Sequence, residues 1–102
     1  VSLQIGYWLH PAAADEHKKQ ISYYEEAHAG LGLRYHDAFL VAVTTAINDP
    51  KRFAVVHSPD IRRVHFKVFH FDLIYREQHG VIQVLAIAHH RRQPGYWVER
   101  SV

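Results

Sequence analysis

The stretch Phe71-Asp72-Leu73-Ile74-Tyr75-Arg76-Glu77-Gln78-His79-Gly80-Val81-Ile82-Gln83-Val84-Leu85-Ala86-Ile87-Ala88 reads as a β-hairpin. Phe71 to Glu77 carries the aromatic and β-branched residues that suit a pleated surface. His79-Gly80 supplies the turn, since short glycine-containing loops join antiparallel strands. Val81 to Ala88 is a nearly continuous apolar run, the pattern of a central strand covered on both faces.

Upstream, Ile61 to Val68 alternates, with Val64, Phe66 and Val68 on one side and Arg63, His65 and Lys67 on the other. It follows a loop containing Pro59-Asp60. Three successive strands with short turns make an antiparallel meander.

Farther upstream the period changes from two to about 3.6 residues. Pro11 opens a helix expected to run to about Ala29, because proline is tolerated in a first turn and Ala12 to Glu16 favours helix. Ala14, His17, Ile21, Tyr24 and His28 form its inner stripe. Gly30-Leu31-Gly32 breaks it, since glycine enters left-handed conformations cheaply at a helix end. A second helix follows, with Tyr35, Phe39, Ala42, Val43, Ala46 and Ile47 at helical spacing until Asn48-Asp49-Pro50 stops it. So short a connection makes the helices antiparallel neighbours. Val1 to Leu9 alternates as a half-buried strand. The expected fold is therefore α+β with the order β-α-α-β-β-β: a helical hairpin packed on a small, mainly antiparallel twisted sheet. Residues 1–102 read as one domain without internal repeats.

Composition narrows the chemistry. The absence of cysteine removes disulfides, thiolate zinc sites and cysteine nucleophiles, and suits a reducing cytoplasm. No apolar run approaches the ~20 residues of a membrane span, and the N-terminus lacks a signal-like basic and apolar segment. A cytoplasmic protein without membrane association is expected. Net charge is +2, unevenly spread: residues 1–50 carry three Lys/Arg against six Asp/Glu, and residues 51–102 carry nine against four. The basic half points to an anionic partner, either nucleic acid or an acidic protein segment.

The candidate site follows that charge. Arg63, His65 and Lys67, with Arg76 on the neighbouring strand and Arg91, Arg92 and Arg100 beyond, place cations on or beside a sheet face where phosphates or carboxylates dock. The run His89-His90-Arg91-Arg92-Gln93-Pro94-Gly95-Tyr96-Trp97 mixes imidazoles, cations and rings at the rim of the sheet. Such groups suit proton transfer and stabilisation of phosphoryl charge, so a metal-free ribonuclease is chemically conceivable. Equally, Tyr96 and Trp97 serve as anchors that fold the tail onto the core. Ten histidines invite a metal, yet none stands in a His-Glu-x-x-His arrangement, and adjacent His89 and His90 point to opposite sides of a strand. No metal site and no cofactor are expected. Asp15/Glu16 and Glu25/Glu26 read as solvated helix faces.

The ordered set His10-Pro11-Ala12-Ala13, Tyr23-Tyr24-Glu25, Gly30-Leu31-Gly32-Leu33-Arg34-Tyr35, Ile61-Arg62-Arg63, Phe69-His70-Phe71-Asp72-Leu73-Ile74-Tyr75-Arg76 and Val84 through Trp97 resembles the ParE branch of the ParE/RelE toxin superfamily. The closing His-x-Arg-Arg-x-Pro-x-Tyr-Trp pattern is its strongest element. The resemblance implies a bacterial type II toxin, of a kind associated with plasmid stabilisation. A cognate antitoxin would neutralise it, ParD-like, with a ribbon-helix-helix DNA-binding part and an acidic C-terminal segment. The toxin would then reach operator DNA only through that antitoxin.

ParE-like members poison DNA gyrase, whereas RelE-like members cleave mRNA on the ribosome. Asp72 stands where RelE-like nucleases usually carry arginine, and an acid there repels the scissile phosphate. The resemblance thus favours a non-hydrolytic gyrase inhibitor without catalytic residues. It would bind antitoxin or target through Arg63, His65, Lys67, Arg76, Arg91, Arg92, Tyr96 and Trp97. The alternative is a ribosome-dependent mRNA endonuclease using Lys67, His90, Arg91 and Tyr96, and a further one is an inactive homologue that only binds antitoxin as a corepressor.

Overall fold

The computed structural model describes residues 6–101. Strand β1 (Tyr7–Leu9) leads into helix α1 (Pro11–Ala27), helix α2 (Leu31–Asn48), strands β2 (Val55–His57), β3 (Ile61–His65), β4 (Phe71–Gln78) and β5 (Val81–His89), and a closing 3₁₀ turn (Val98–Ser101). The strands form one sheet in the order β1-β5-β4-β3-β2. Among the described residues only the β1–β5 pair is parallel. The first five residues of the expected opening strand lie outside the described residues.

Local chemistry sets the helical hairpin. His10 Nδ1 accepts from the Ala12 N–H (3.0 Å) and caps α1. The helix ends at Ala27, two residues short of the expected Ala29. Gly30 turns the chain at φ 86°. Glu25, expected on a solvated face, instead accepts from the Gly30 and Gly32 N–H groups (2.9 and 3.0 Å) at the start of α2. A carboxylate there satisfies donors that a helix leaves free and faces the positive end of its dipole. Gly32 lets the helices touch: a Cβ added to it lies 2.7 Å from the Ile21 carbonyl oxygen.

The face of α2 is as expected, with Tyr35, Phe39, Ala42, Val43 and Ala46 buried and Ile47 packed beside them. On α1 the stripe is displaced by one residue at its start: Ala13 and His17 are buried, Ala14 is half-buried, and His28 is exposed. These faces cover Val64, Phe66, Phe71, Leu73, Tyr75, Ile82, Val84 and Ile87. A second, smaller core of Ile61, Ile74, Leu85, Ala86 and Trp97 lies on the opposite side of the sheet.

A β-bulge makes both cores possible. Ile74 pairs with Ala86, but the next residue, Tyr75, pairs with Val84, leaving Leu85 as an extra residue. Alternation along β5 is broken there, so Ile82, Val84 and Ile87 join the helical core while Leu85 and Ala86 join the second.

Two expectations need correction. Strand β3 ends at His65; Phe66 and Lys67 keep the expected inward and outward faces, but Val68 is 86% exposed at φ 74°. The chain has already turned there: the Phe69 N–H bonds the Lys67 carbonyl and the Phe66 N–H bonds the Phe71 carbonyl. The segment expected to be loop before Pro59 contains β2, a three-residue edge strand.

Candidate functional site: a groove under the C-terminal tail

Beyond Leu9, β5 loses its parallel neighbour, since β1 pairs only with Ile82, Gln83 and Val84. The strand would then present unpaired backbone groups. Side chains meet them. The Ile87 N–H donates to Glu16 Oε1 (3.2 Å), and Arg100 Nη1 donates to the Leu85 carbonyl (3.1 Å). Arg100 also clamps Glu16 through two bonds of 3.0 Å, and the Tyr96 hydroxyl donates to Glu16 Oε2 at 3.0 Å. Glu16 is thus the tie between α1, the edge of β5 and the tail, and not a solvated acid. Trp97 anchors the same segment, 6% exposed in the second core.

Held this way, the tail forms one wall of a groove of about 690 Å³ whose floor is the sheet face opposite the helices. Arg63, His65, Asp72, His90, Arg92, Tyr96 and Trp97 line it, together with His57 and Pro94. Asp72 is the acid of the floor, and its side chain is 12% exposed. Strand register brings its neighbours: Asp72 pairs across to His65 on β3 and to Ala88 on β5. His90 is fixed by its N–H bonding the His70 carbonyl (2.9 Å). His65 Nδ1 and His90 Nε2 both contact Asp72 Oδ1, at 2.5 and 3.0 Å, and Arg63 Nε stands 3.9 Å from Oδ2. The carboxylate is therefore compensated on both oxygens.

A family model for the ParE toxin of type II toxin–antitoxin systems, parDE, matches residues 7–94. The chain belongs to the ParE toxin family. Its fold is similar to that of the chromosomal ParDE TA system from P. aeruginosa, at a TM-score of 0.70 and 16% identity, covering 83% of this chain and 95% of that chain. No curated protein matches the sequence.

In this ParE-family toxin the expected binding residues separate. Arg63, His65, Arg92, Tyr96 and Trp97 share the groove. Lys67 lines a different depression, beside α2, with Ala38 and Val41. Arg76 is turned to Gln83, with Nε 3.2 Å from Oε1. Arg91 is exposed on the turn, its N–H donating to His89 Nδ1. His89 and His90 do point to opposite faces: the His89 ring packs 4.9 Å from Phe71, while His90 reaches Asp72.

Tyr96 is engaged on several sides. The Arg92 guanidinium lies 3.9 Å above its ring. Burial first, then the charge and hydrogen bond of Glu16, push its hydroxyl up to about 12. Arg100 feels burial against its charge, but its bonds to Glu16 hold it above the ordinary arginine value. Burial, followed by the charges of Arg91, His90 and His70, lowers His89.

Asp72 and Glu16 are the residues of this site that the sequence did not offer for it; His90 and Arg100, expected as an alternative catalytic group and as a site cation, serve as their partners. The signal lies in contacts between elements distant in the chain, which one-dimensional spacing does not carry. No helix among the described residues is long and apolar enough to cross a membrane.

Proposed function

We propose that this ParE-family toxin acts by binding, inhibiting DNA gyrase and hence replication in the cytoplasm, and that an acidic-tailed, ParD-like ribbon-helix-helix antitoxin neutralises it. The observation that carries this reading is the state of Tyr96. Its hydroxyl is committed to Glu16, and its proton is held more tightly than in free tyrosine. A group in that state is a poor proton acceptor near neutral pH. Lys67 lines another depression and Arg91 is exposed on the turn, while His90 and Tyr96 line the groove, an arrangement that supports binding over the nuclease alternative.

What the groove offers instead is an anion-binding surface. Arg63 and Arg92 flank it, and the half-buried Val56, Ala88 and Tyr96 with the exposed Pro94 give it apolar surface. An acidic segment that folds on binding fits such a surface, because ion pairs fix its register while its apolar side chains are buried.

The test is purified toxin with gyrase and relaxed plasmid. Loss of supercoiling, or accumulation of cleaved gyrase–DNA complexes, is the expected outcome, and addition of the cognate antitoxin restores activity. Unchanged gyrase together with mRNA cut at the ribosomal A site would replace this reading by the nuclease one. Unimpaired growth after induction without antitoxin would replace it by the inactive, antitoxin-binding homologue.

A further inference from the structure

The cluster around Asp72 has a second chemical capacity. His65 Nδ1, Asp72 Oδ1 and His90 Nε2 lie within 4.8 Å of one another. We infer that these three atoms form a binding site for one divalent transition-metal ion of the zinc class. This goes against the expectation of a metal-free chain, which rested on spacing within single segments. The inference does not depend on which target the toxin binds.

The donor set selects the ion. Two imidazole nitrogens and one carboxylate oxygen suit Zn²⁺, Co²⁺ or Ni²⁺, whereas Mg²⁺ and Ca²⁺ prefer all-oxygen shells. The ligands stand on a rigid base. They come from β3, from β4 and from the residue after β5, and backbone pairing fixes all three positions. Asp72 is buried in the floor, while the side chains of His65 and His90 are 64% and 41% exposed and open toward the groove. Three protein ligands with free positions facing a cleft is the arrangement of an open metal site.

The proton balance is simple. With neutral rings, each imidazole donates its N–H to Asp72 Oδ1. An ion takes the place of those two hydrogens, and each ring moves its proton to its outward nitrogen, so neutral imidazole remains the ligand. Asp72 Oδ2 keeps its neighbour Arg63, which leaves Oδ1 as a single-oxygen ligand. The positive charge of Arg63 opposes the ion, and three ligands hold it less firmly than the four of a closed structural zinc site.

The experiment uses the full chain, stripped with chelator and dialysed. Titration calorimetry with ZnCl₂, and absorption with CoCl₂ as a spectroscopic probe, report stoichiometry and ligand type. One ion per chain is expected, with visible cobalt bands and a rise in melting temperature on adding zinc. His65→Gln/His90→Gln abolishes the cobalt bands, and Asp72→Asn weakens binding by roughly 10-fold or more. A control, His28→Gln/His79→Gln, removes two exposed histidines elsewhere and leaves binding unchanged. Circular dichroism confirms that each variant folds. If zinc fails to bind at tens of micromolar, if the cluster variants keep the stoichiometry, or if the control loses it, the inference is wrong.

Discussion

Glu16 and Arg100 clasp each other through two hydrogen bonds of 3.0 Å across 84 residues of chain. Their side chains are only 20% and 17% exposed, respectively. The pair does more than neutralise charge, because the same two side chains satisfy the Ile87 N–H and the Leu85 carbonyl where β1 has ended. Arg100→Ala leaves a half-buried carboxylate without its counter-charge, held only by the Tyr96 hydroxyl and the Ile87 N–H, and the Leu85 carbonyl without its side-chain donor. A loss of about 3 kcal/mol is expected in denaturant unfolding, since breaking one side of a buried pair costs more than the pair contributes.

Trp97 and Tyr96 divide the anchoring of the tail between them. Trp97→Ala empties the second core and is expected to cost about 3–4 kcal/mol, the range for removing a large buried aromatic. Tyr96→Phe removes only the hydroxyl bonded to Glu16, an expected loss of about 1 kcal/mol. Under the binding reading, Tyr96→Phe still arrests growth on induction. A folded Tyr96→Phe protein without toxicity would instead require the hydroxyl in the reaction.

The elements that were legible in the sequence are those governed by local periodicity. The stripe Tyr35, Phe39, Ala42, Val43 and Ala46 fixed the inner face of α2, and the apolar run from Val81 to Ala88 marked a strand covered on both sides. The bulge at Leu85 left no mark, because an apolar run looks alike in either register. Glu16 read as a solvated acid because its partners, Tyr96 and Arg100, are 80 and 84 residues away. Asp72 was legible as an unusual acid on a basic face. Its meaning was not, since the histidines on it arrive through the register of β3 and the turn after β5. Once that charge is compensated, Asp72 repels a phosphate less, and the proposed binding mode rests on Tyr96 and Lys67.

Close helix approach gives a third prediction. Gly32→Ala sets a methyl group 2.7 Å from a backbone oxygen of α1 and 3.0 Å from Glu25 Cβ. Backbone does not swing aside as a flexible side-chain end does, so the helices must part. A loss of about 2 kcal/mol or more is expected despite the better helix propensity of alanine, and thermal unfolding measures it.

Acid should weaken the protein through His17. Its ring lies between the helices, 4.1 Å from the Phe39 ring centroid, with Nε2 2.9 Å from His36 Nδ1. Burial, and then the neighbouring His36, lower its pKa from 6.5 to about 4. Between those values the unfolded chain binds a proton at residue 17 that the folded chain does not, so protons favour unfolding. The stabilising contribution is complete above pH 6.5 and is lost as pH falls toward 4, amounting to about 3 kcal/mol. Urea titrations of wild type and His17→Leu across pH 4–7 check this. The variant is expected to show a shallower fall, and parallel curves would contradict the assignment.

Charge reversal in the groove separates binding surface from scaffold. Arg63 and Arg92 line it, whereas Arg76 lies on Gln83 outside it, so Arg63→Glu and Arg92→Glu test the groove and Arg76→Glu serves as the internal comparison. Reversing a cation that meets an acidic partner replaces attraction by repulsion, and an expected loss of at least ~10-fold in antitoxin affinity corresponds to about 1.4 kcal/mol. Arg63→Glu also places a second carboxylate beside Asp72, so its melting temperature must be measured alongside. If the groove is the docking surface, the deficits of the Arg63 and Arg92 variants shrink as salt screens the repulsion, and Arg76→Glu binds almost as wild type. Equal deficits at all three positions would mean that the antitoxin responds to the net charge of the basic half and not to the groove beneath the tail.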